Sequence, residues 1–480
     1  MDSFIVIYCK SKIYILYILF FGIYDGGKTM KDVFLVKYTV QGVKTLEKKV
    51  SLSFYKKVIE RTPKTQNYNI KAIYGMNGSG KSAIITSIDI LRNLLINPGY
   101  LNNPIVQKNF EKIINKKTGR VDLSTDFIFD MGDELRYYSY SIVLKKDATE
   151  KFIIANEALS TRKATSKSEK MENIYTSENG VLTIGIDVDD DLNDIVIGRT
   201  ANLLENTSLC ELFFEKIFIQ LKDKTEYVKS LFVRSLVCLY VFGRNIHVYI
   251  DQSDDHREYF LRNTMQTIED YSQIDEWIKH FVQMDSESLN VLSVSGNVVS
   301  IDSFAQFEKD VERLFEFIKI FKPDLREIII EKRTDEDRYI CNLVMTYLDY
   351  NVDAEFESTG VKKLIKLYTY LREMVQGGIV FVDEFDSNLH DVYLCALLEY
   401  LMEYGKGQLC FTTHNVGPMD VLKQNKKSID FLSVDHEIHP WVTNGNYSPS
   451  KLYRGGMIEG SPFNVDSIDF IGTFEPKGDN

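Results

Sequence analysis

Two apolar rhythms divide this chain. Short unbroken runs, "IVFV" from residue 379 and the stretch 72–74, predict buried strands, and "MKDVFLVKYTV" from Met30 predicts a first strand. Helical spacing appears beside them. Ile84, Ile85, Ile88 and Leu91 form one apolar face. In 356–378, Leu364, Leu367, Tyr368 and Leu371 form an apolar face, Lys362, Lys363 and Lys366 a polar one, and Gly377 with Gly378 ends the pattern. Residues 205–243, 257–283 and 302–321 are also patterned as helices, with Val311, Leu314, Phe315, Ile318 and Phe321 on one face of the last. No heptad pattern persists, so a short helical lid or arm is expected and a long coiled coil is not.

The length changes this picture first: 480 residues exceed one ordinary core, so two or more structural units are expected. A net charge of −12 argues against a chain coated in basic surface but leaves a local basic groove open. Six cysteines without CxxC spacing point to a reducing cytoplasm. The run "IYILYILFFGIY" (13–24) falls short of the roughly 20 residues a membrane helix needs, and no cleavage pattern follows it. Translation is therefore expected to start at Met30, with 1–29 an N-terminal extension and no membrane association, the alternative being a membrane or interfacial anchor.

The chemistry begins at "YGMNGSGKSAII". Gly75, Gly80, Lys81 and Ser82 complete G-x-x-x-x-G-K-S between a strand and a helix, with Asn77, Gly78 and Ser79 inside the loop. Backbone N–H groups of such a loop turn inward around phosphates, Lys81 reaches the β and γ phosphates, and Ser82 can hold Mg²⁺. The strand at 379 supplies the other half, ending in Asp383 and Glu384. Asp383 would hold Mg²⁺ through a water, and Glu384 would orient or deprotonate the water that attacks the γ phosphate. ATP and Mg²⁺ are the expected cofactors. A second anion site is expected at the N-terminus of the helix in 356–378, where Ser358, Thr359 and Gly360 stand.

This last element resembles the signature motif of the ABC-type ATPase superfamily. The resemblance implies that it closes over ATP held by a second subunit, that Ser387, Asn388, Leu389 and His390 form a D-loop, that "DVYLCALLEYLMEY" from Asp391 is the next helix, and that "QLCFTTHN" from 408 is a strand presenting His414, a switch histidine contacting the γ phosphate. The signature here is S-T-G and not the L-S-G-G-Q of transporters, and the interval between Ser82 and Ser358 is too long for a transporter domain. The chain looks instead like prokaryotic AAA/ABC-hybrid ATPases of phage-defence loci, relatives of the ATPase half of overcoming-lysogenisation-defect proteins and of the ATPase subunit of the phage anti-restriction-induced system.

That resemblance implies an α/β fold: an ABC-ATPase-like P-loop head, a mixed β-sheet core with flanking helices, and an inserted α-helical lid or arm. Residues 30–160 would form the first half of the head, 161–324 the mainly helical insertion and 325–480 the second half. It implies an ATPase acting as a switch or sensor, closing as a homodimer or higher homo-oligomer, set off by a phage protein and controlling a separate effector, a nuclease encoded nearby. The rival reading is a DNA-maintenance ATPase like RecF or the SMC heads that clamps on DNA, so nucleic acid stays open as a partner. Gln107 is the nearest candidate for the Mg²⁺-sensing glutamine of ABC proteins. "STRKATSKSEK" (160–170) and "DVDDDLND" (187–194) are expected as solvated loops, the latter lacking the glycine and closing glutamate of a calcium loop.

Overall fold

The structure is a computed structural model that describes residues 33–131, 134–166, 169–221, 225–250, 292–335, 338–442 and 447–461. The apolar run at 13–24, Met30 and the helical pattern at 257–283 lie outside the described residues. Among those described, no helix is long and apolar enough to cross a membrane.

The molecule is α/β, with two sheets of six and seven strands flanked by helices. One is antiparallel, with β1 (Val33–Gln41), β2 (Val50–Ser53), β4 (Arg120–Asp130), β5 (Leu135–Lys146), β6 (Phe152–Lys163), β7 (Glu172–Glu178) and β8 (Val181–Ile184) ordered β2-β1-β4-β5-β6-β7-β8. Burial alternates along β4 and β5, as a sheet covered on one face requires. The other sheet runs β17-β16-β3-β15-β14-β9, from β3 (Ile70–Gly75), β9 (Ile246–Tyr249), β14 (Ile379–Val382), β15 (Gln408–Thr412), β16 (Ile429–Leu432) and β17 (Ile438–Pro440). Only β17 is antiparallel there. Every residue of β3, β14, β15 and β16 is buried, which explains the apolar runs at 72–74, 379–382 and 409–411, and the two charges inside, Lys71 of β3 and Asp430 of β16, pair at 2.7 Å.

Helix α1 (Lys81–Ile96) packs against both sheets. Ile84, Ile85, Ile88 and Leu91 share one core with Phe127 and Tyr138 of the antiparallel sheet and Phe381 and Cys410 of the parallel one. Tyr38 Oη donates to Ser87 Oγ at 2.8 Å. The sheets are also joined directly, because the Gln408 amide exchanges hydrogen bonds with the Leu35 N–H (2.7 Å) and carbonyl (3.0 Å) beside a bulge in β1.

A third sheet, β10 (Asn297–Ser300), β12 (Arg338–Thr346) and β11 (Glu327–Asp335), with β13 (Asn351–Asp353) on β12, has its own core. Of the helices still to be placed, α2 is Pro104–Ile113, α3 Asp190–Thr200, α4 Leu231–Asn245, α5 Phe304–Phe321, α6 Thr359–Gln376 and α7 Asp391–Tyr404. The third core joins Val311, Leu314 and Ile318 of α5 to Val361, Leu364 and Ile365 of α6.

The interval 161–324 is mixed. β7 and β8 extend the first sheet, β9 edges the second, and α4 is buried over nearly its whole length in the main core. Within 205–243 a π turn (Phe213–Ile217) and short helices precede α4. The segment 160–170 is not all loop either: β6 runs to Lys163, and the Arg162 guanidinium lies 4.5 Å from the Tyr137 ring. The acidic run 187–194 opens a helix, with Asp189 capping α3 and Asp190 and Asp191 in its first turn, where negative charge suits the helix dipole.

Candidate nucleotide site

Strand β3 carries the chain into the phosphate loop at the carboxyl end of the parallel sheet, where β14 and β15 also end. The loop tolerates no side chain at two glycines. A Cβ on Gly75 would lie 2.5 Å from the Leu432 carbonyl oxygen and 2.8 Å from Ser79 Oγ. One on Gly80, held at φ +105°, would lie 2.5 Å from Leu46 Cδ2. Asn77 and Gly78 are exposed at the loop's crest, and the Ser79 hydroxyl is buried without a hydrogen-bond partner. No side chain caps α1, so its first N–H groups remain available to an anion.

Lys81 is 6 % exposed and donates to the carbonyls of Gly75 (2.8 Å) and Met76 (3.1 Å). Burial pulls its pKa down to about 8, against the upward pull of Asp383, Glu384 and Asp386. An ammonium so desolvated gains much from a phosphate. Ser82 follows, half-buried in the first turn of α1.

The acids are organised by Thr412, at the end of β15. Its Oγ1 donates to Asp383 Oδ1 at 2.5 Å and accepts from the Glu384 N–H at 2.8 Å. Asp383 is thereby fixed at 9 % exposure, whereas Glu384 is exposed and held at φ +50°. A non-glycine residue there is strained, a cost commonly found at functional sites. His414 lies two residues beyond β15; burial and Lys81 lower its pKa, against Asp386, Glu384 and Asp383. The loop 75–82, Asp383, Glu384 and His414 thus share one electrostatic site.

The oxygens present suit magnesium, a hard cation: the Ser82 hydroxyl and the Asp383 carboxylate, one oxygen of which is engaged by Thr412.

Ser358 caps α6, its Oγ accepting from the Val361 N–H at 3.4 Å, and it is exposed with Thr359. Among the described residues, no hydrogen bond or ion pair links Ser358, Thr359 or Gly360 to the loop 75–82. They abut the D-loop instead: a Cβ on Gly360 would lie 2.6 Å from the Asn388 carbonyl oxygen.

Three residues escaped the sequence reading. Thr412 looked like ordinary strand polarity. Lys44, at φ +48° in the β1–β2 turn, has a pKa lowered by burial and raised by Asp383, placing a second ammonium in the site's field. The glycine of "QGVK" was its only signal. Lys363, expected on the polar face of α6 with Lys362 and Lys366, is 4 % exposed and donates to the Glu384 carbonyl and Ser387 Oγ. Gln107, conversely, is fully engaged: its amide donates to the carbonyls of Leu101 and Phe152 and accepts from the Phe152 N–H. It anchors α2 and is not available to sense an ion.

Residues 251–420 match the family model described as "AAA domain, putative AbiEii toxin, Type IV TA system". The match holds Ser358, Asp383, Glu384 and His414 and leaves out the loop 75–82. No curated protein matches the sequence. Among solved structures, the chain is similar to the recombination mediator protein RecF of the RecFOR pathway, titled RecF-ATPrS, with 12% identity, 87% of this chain and 100% of that one covered, and a TM-score of 0.38. A likeness that weak carries no functional argument.

Proposed function

We propose that the protein binds and hydrolyses ATP. The observation that carries this reading is the Thr412 hydroxyl, which positions both carboxyl-bearing residues of one strand end in the field of the phosphate-loop lysine. The loop 75–82 and the N-terminus of α1 hold the phosphates, with Lys81 on the β and γ groups. Ser82 and, through water, Asp383 would hold a magnesium ion, which would supply charge neutralisation at the phosphates. Glu384 takes the proton of a water attacking the γ phosphorus, the bond from that phosphorus to the β–γ bridging oxygen breaks, and ADP leaves with inorganic phosphate. His414 donates a hydrogen bond to the γ phosphate.

The exposed N-terminus of α6, unconnected to its own chain's loop, supports closure of two copies around two nucleotides. Closure and reopening would act as a switch on a separate effector in anti-phage defence. The resemblance to defence ATPases supports that role. The test is Glu384→Gln, with ATP binding by calorimetry and phosphate release as readouts. Binding should be kept while turnover falls by about 10²–10⁴-fold, and the variant with ATP should sediment as a dimer. Unchanged turnover would overturn the assignment of Glu384.

A further inference from the structure

Two basic segments far apart in sequence meet at the end of the parallel sheet opposite the phosphate loop. One precedes β3, "KKVIERTPKTQNY" (56–68), and the other precedes β16, "KQNKKS" (423–428). They are tied together. The Lys426 N–H donates to the Asn67 carbonyl at 3.0 Å, Asn425 Nδ2 to Asn69 Oδ1 at 2.8 Å, and Lys427 Nζ to Ser53 Oγ at 2.8 Å and the Tyr55 carbonyl at 2.9 Å. Seven cations result: Lys56, Lys57, Arg61, Lys64, Lys423, Lys426 and Lys427.

The segments contain one acid, Glu60, which pairs with Lys56; Asp420, just outside, lies 3.6 Å from Lys423. Lys57, Arg61, Lys64 and Lys426 are exposed and carry no ion pair among the described residues. The cations converge, since Glu60 has its pKa lowered by the Lys56 hydrogen bond and charge and then by Lys64 and Lys426. The chain as a whole is acidic, but with a screening length of about 8 Å at physiological salt its remote carboxylates do not cancel a local cluster.

We propose that this face binds the phosphate backbone of nucleic acid. A protein-docking site carries an apolar or aromatic centre, whereas the only exposed large apolar residue in these segments is Val58, at 42 %. Flexible lysines beside exposed amides, Asn67 and Gln424, are what backbone contacts use. The proposal is independent of ATP hydrolysis.

The test uses the full chain without nucleotide and fluorescence anisotropy with a labelled DNA duplex of about 20 base pairs, an RNA duplex of the same sequence, and polyglutamate as competitor. Binding to either duplex should weaken with salt at a log–log slope of roughly −3 to −4, near 0.9 for each of the exposed cations. Lys57→Glu, Arg61→Glu, Lys64→Glu and Lys426→Glu together should weaken it at least tenfold, and the milder pair Lys57→Gln and Lys64→Gln should lower the slope by about two without altering thermal unfolding. Preference between the duplexes tells DNA from RNA as the source. No binding at low salt, unchanged binding by both variants, or displacement by polyglutamate at equal charge concentration would each overturn the proposal, the last in favour of an acidic protein.

Discussion

Lys81 is poised to change its protonation when phosphate arrives. In the empty protein burial holds its pKa near 8, so the ammonium is largely kept at pH 7 and lost as pH rises above 8. Bound phosphates return it toward its ordinary value near 10.5. ATP binding should therefore take up a proton above pH 8 and weaken about five- to tenfold per unit beyond it, while Lys81 adds no pH dependence below pH 7. Calorimetric titrations at pH 7, 8 and 9 in two buffers of different ionisation enthalpy would measure this; equal affinity and no proton uptake at pH 9 would exclude it. Lys363 acts through its neighbours. Its bonds to the Glu384 carbonyl and Ser387 Oγ hold the backbone of Glu384 and the turn that follows it against α6. Lys363→Met should lower single-turnover hydrolysis by tenfold or more while ATP affinity stays within about threefold, at a stability cost of about 1–3 kcal/mol from the acceptors left unsatisfied. A merely structural role would move affinity and rate together.

At the scale of elements, helix α6 carries the test of assembly. Ser358→Arg should leave ATP binding to one subunit intact but block closure, and Lys81→Ala should abolish binding. Mixed, the two inactive variants should regain partial hydrolysis, because one composite site in a heterodimer keeps an intact lysine and an intact serine. No recovery, although heterodimers form in pull-downs, would sink this arrangement. The sequence showed which elements exist better than how they face each other. Apolar runs revealed β3 and β14, and the resemblance placed β15 and α7, the latter on the same fourteen residues. Lys363 was misplaced because periodicity reports a rhythm, not the number of covered faces. α6 is packed by α5 and the third core on one side and by β14 and the turn after Glu384 on another, so a lysine between lysines is buried. β9 escaped because His247 breaks its four residues, whereas the equally short β14 is wholly apolar.

At the scale of the molecule, the glycine-lysine-serine loop and the Asp-Glu pair were legible because each is fixed locally by a strand end. The Thr412 clamp and the approach of Lys44 were not, since both depend on segments that meet only in the finished fold. The same dependence reaches back to synthesis. Strand β3 lies between β15 and β16, yet it ends at Gly75 whereas β15 starts at Gln408. At about 5–20 residues per second, the lysine-bearing loop leaves the ribosome some 20–70 s before either neighbouring strand exists. Until then β3 has two open edges, Asp383 and Glu384 are unmade, and nothing encloses phosphate. An interrupted chain thus lacks both strands that flank the phosphate loop, and ATP binding is expected only of a nearly complete copy.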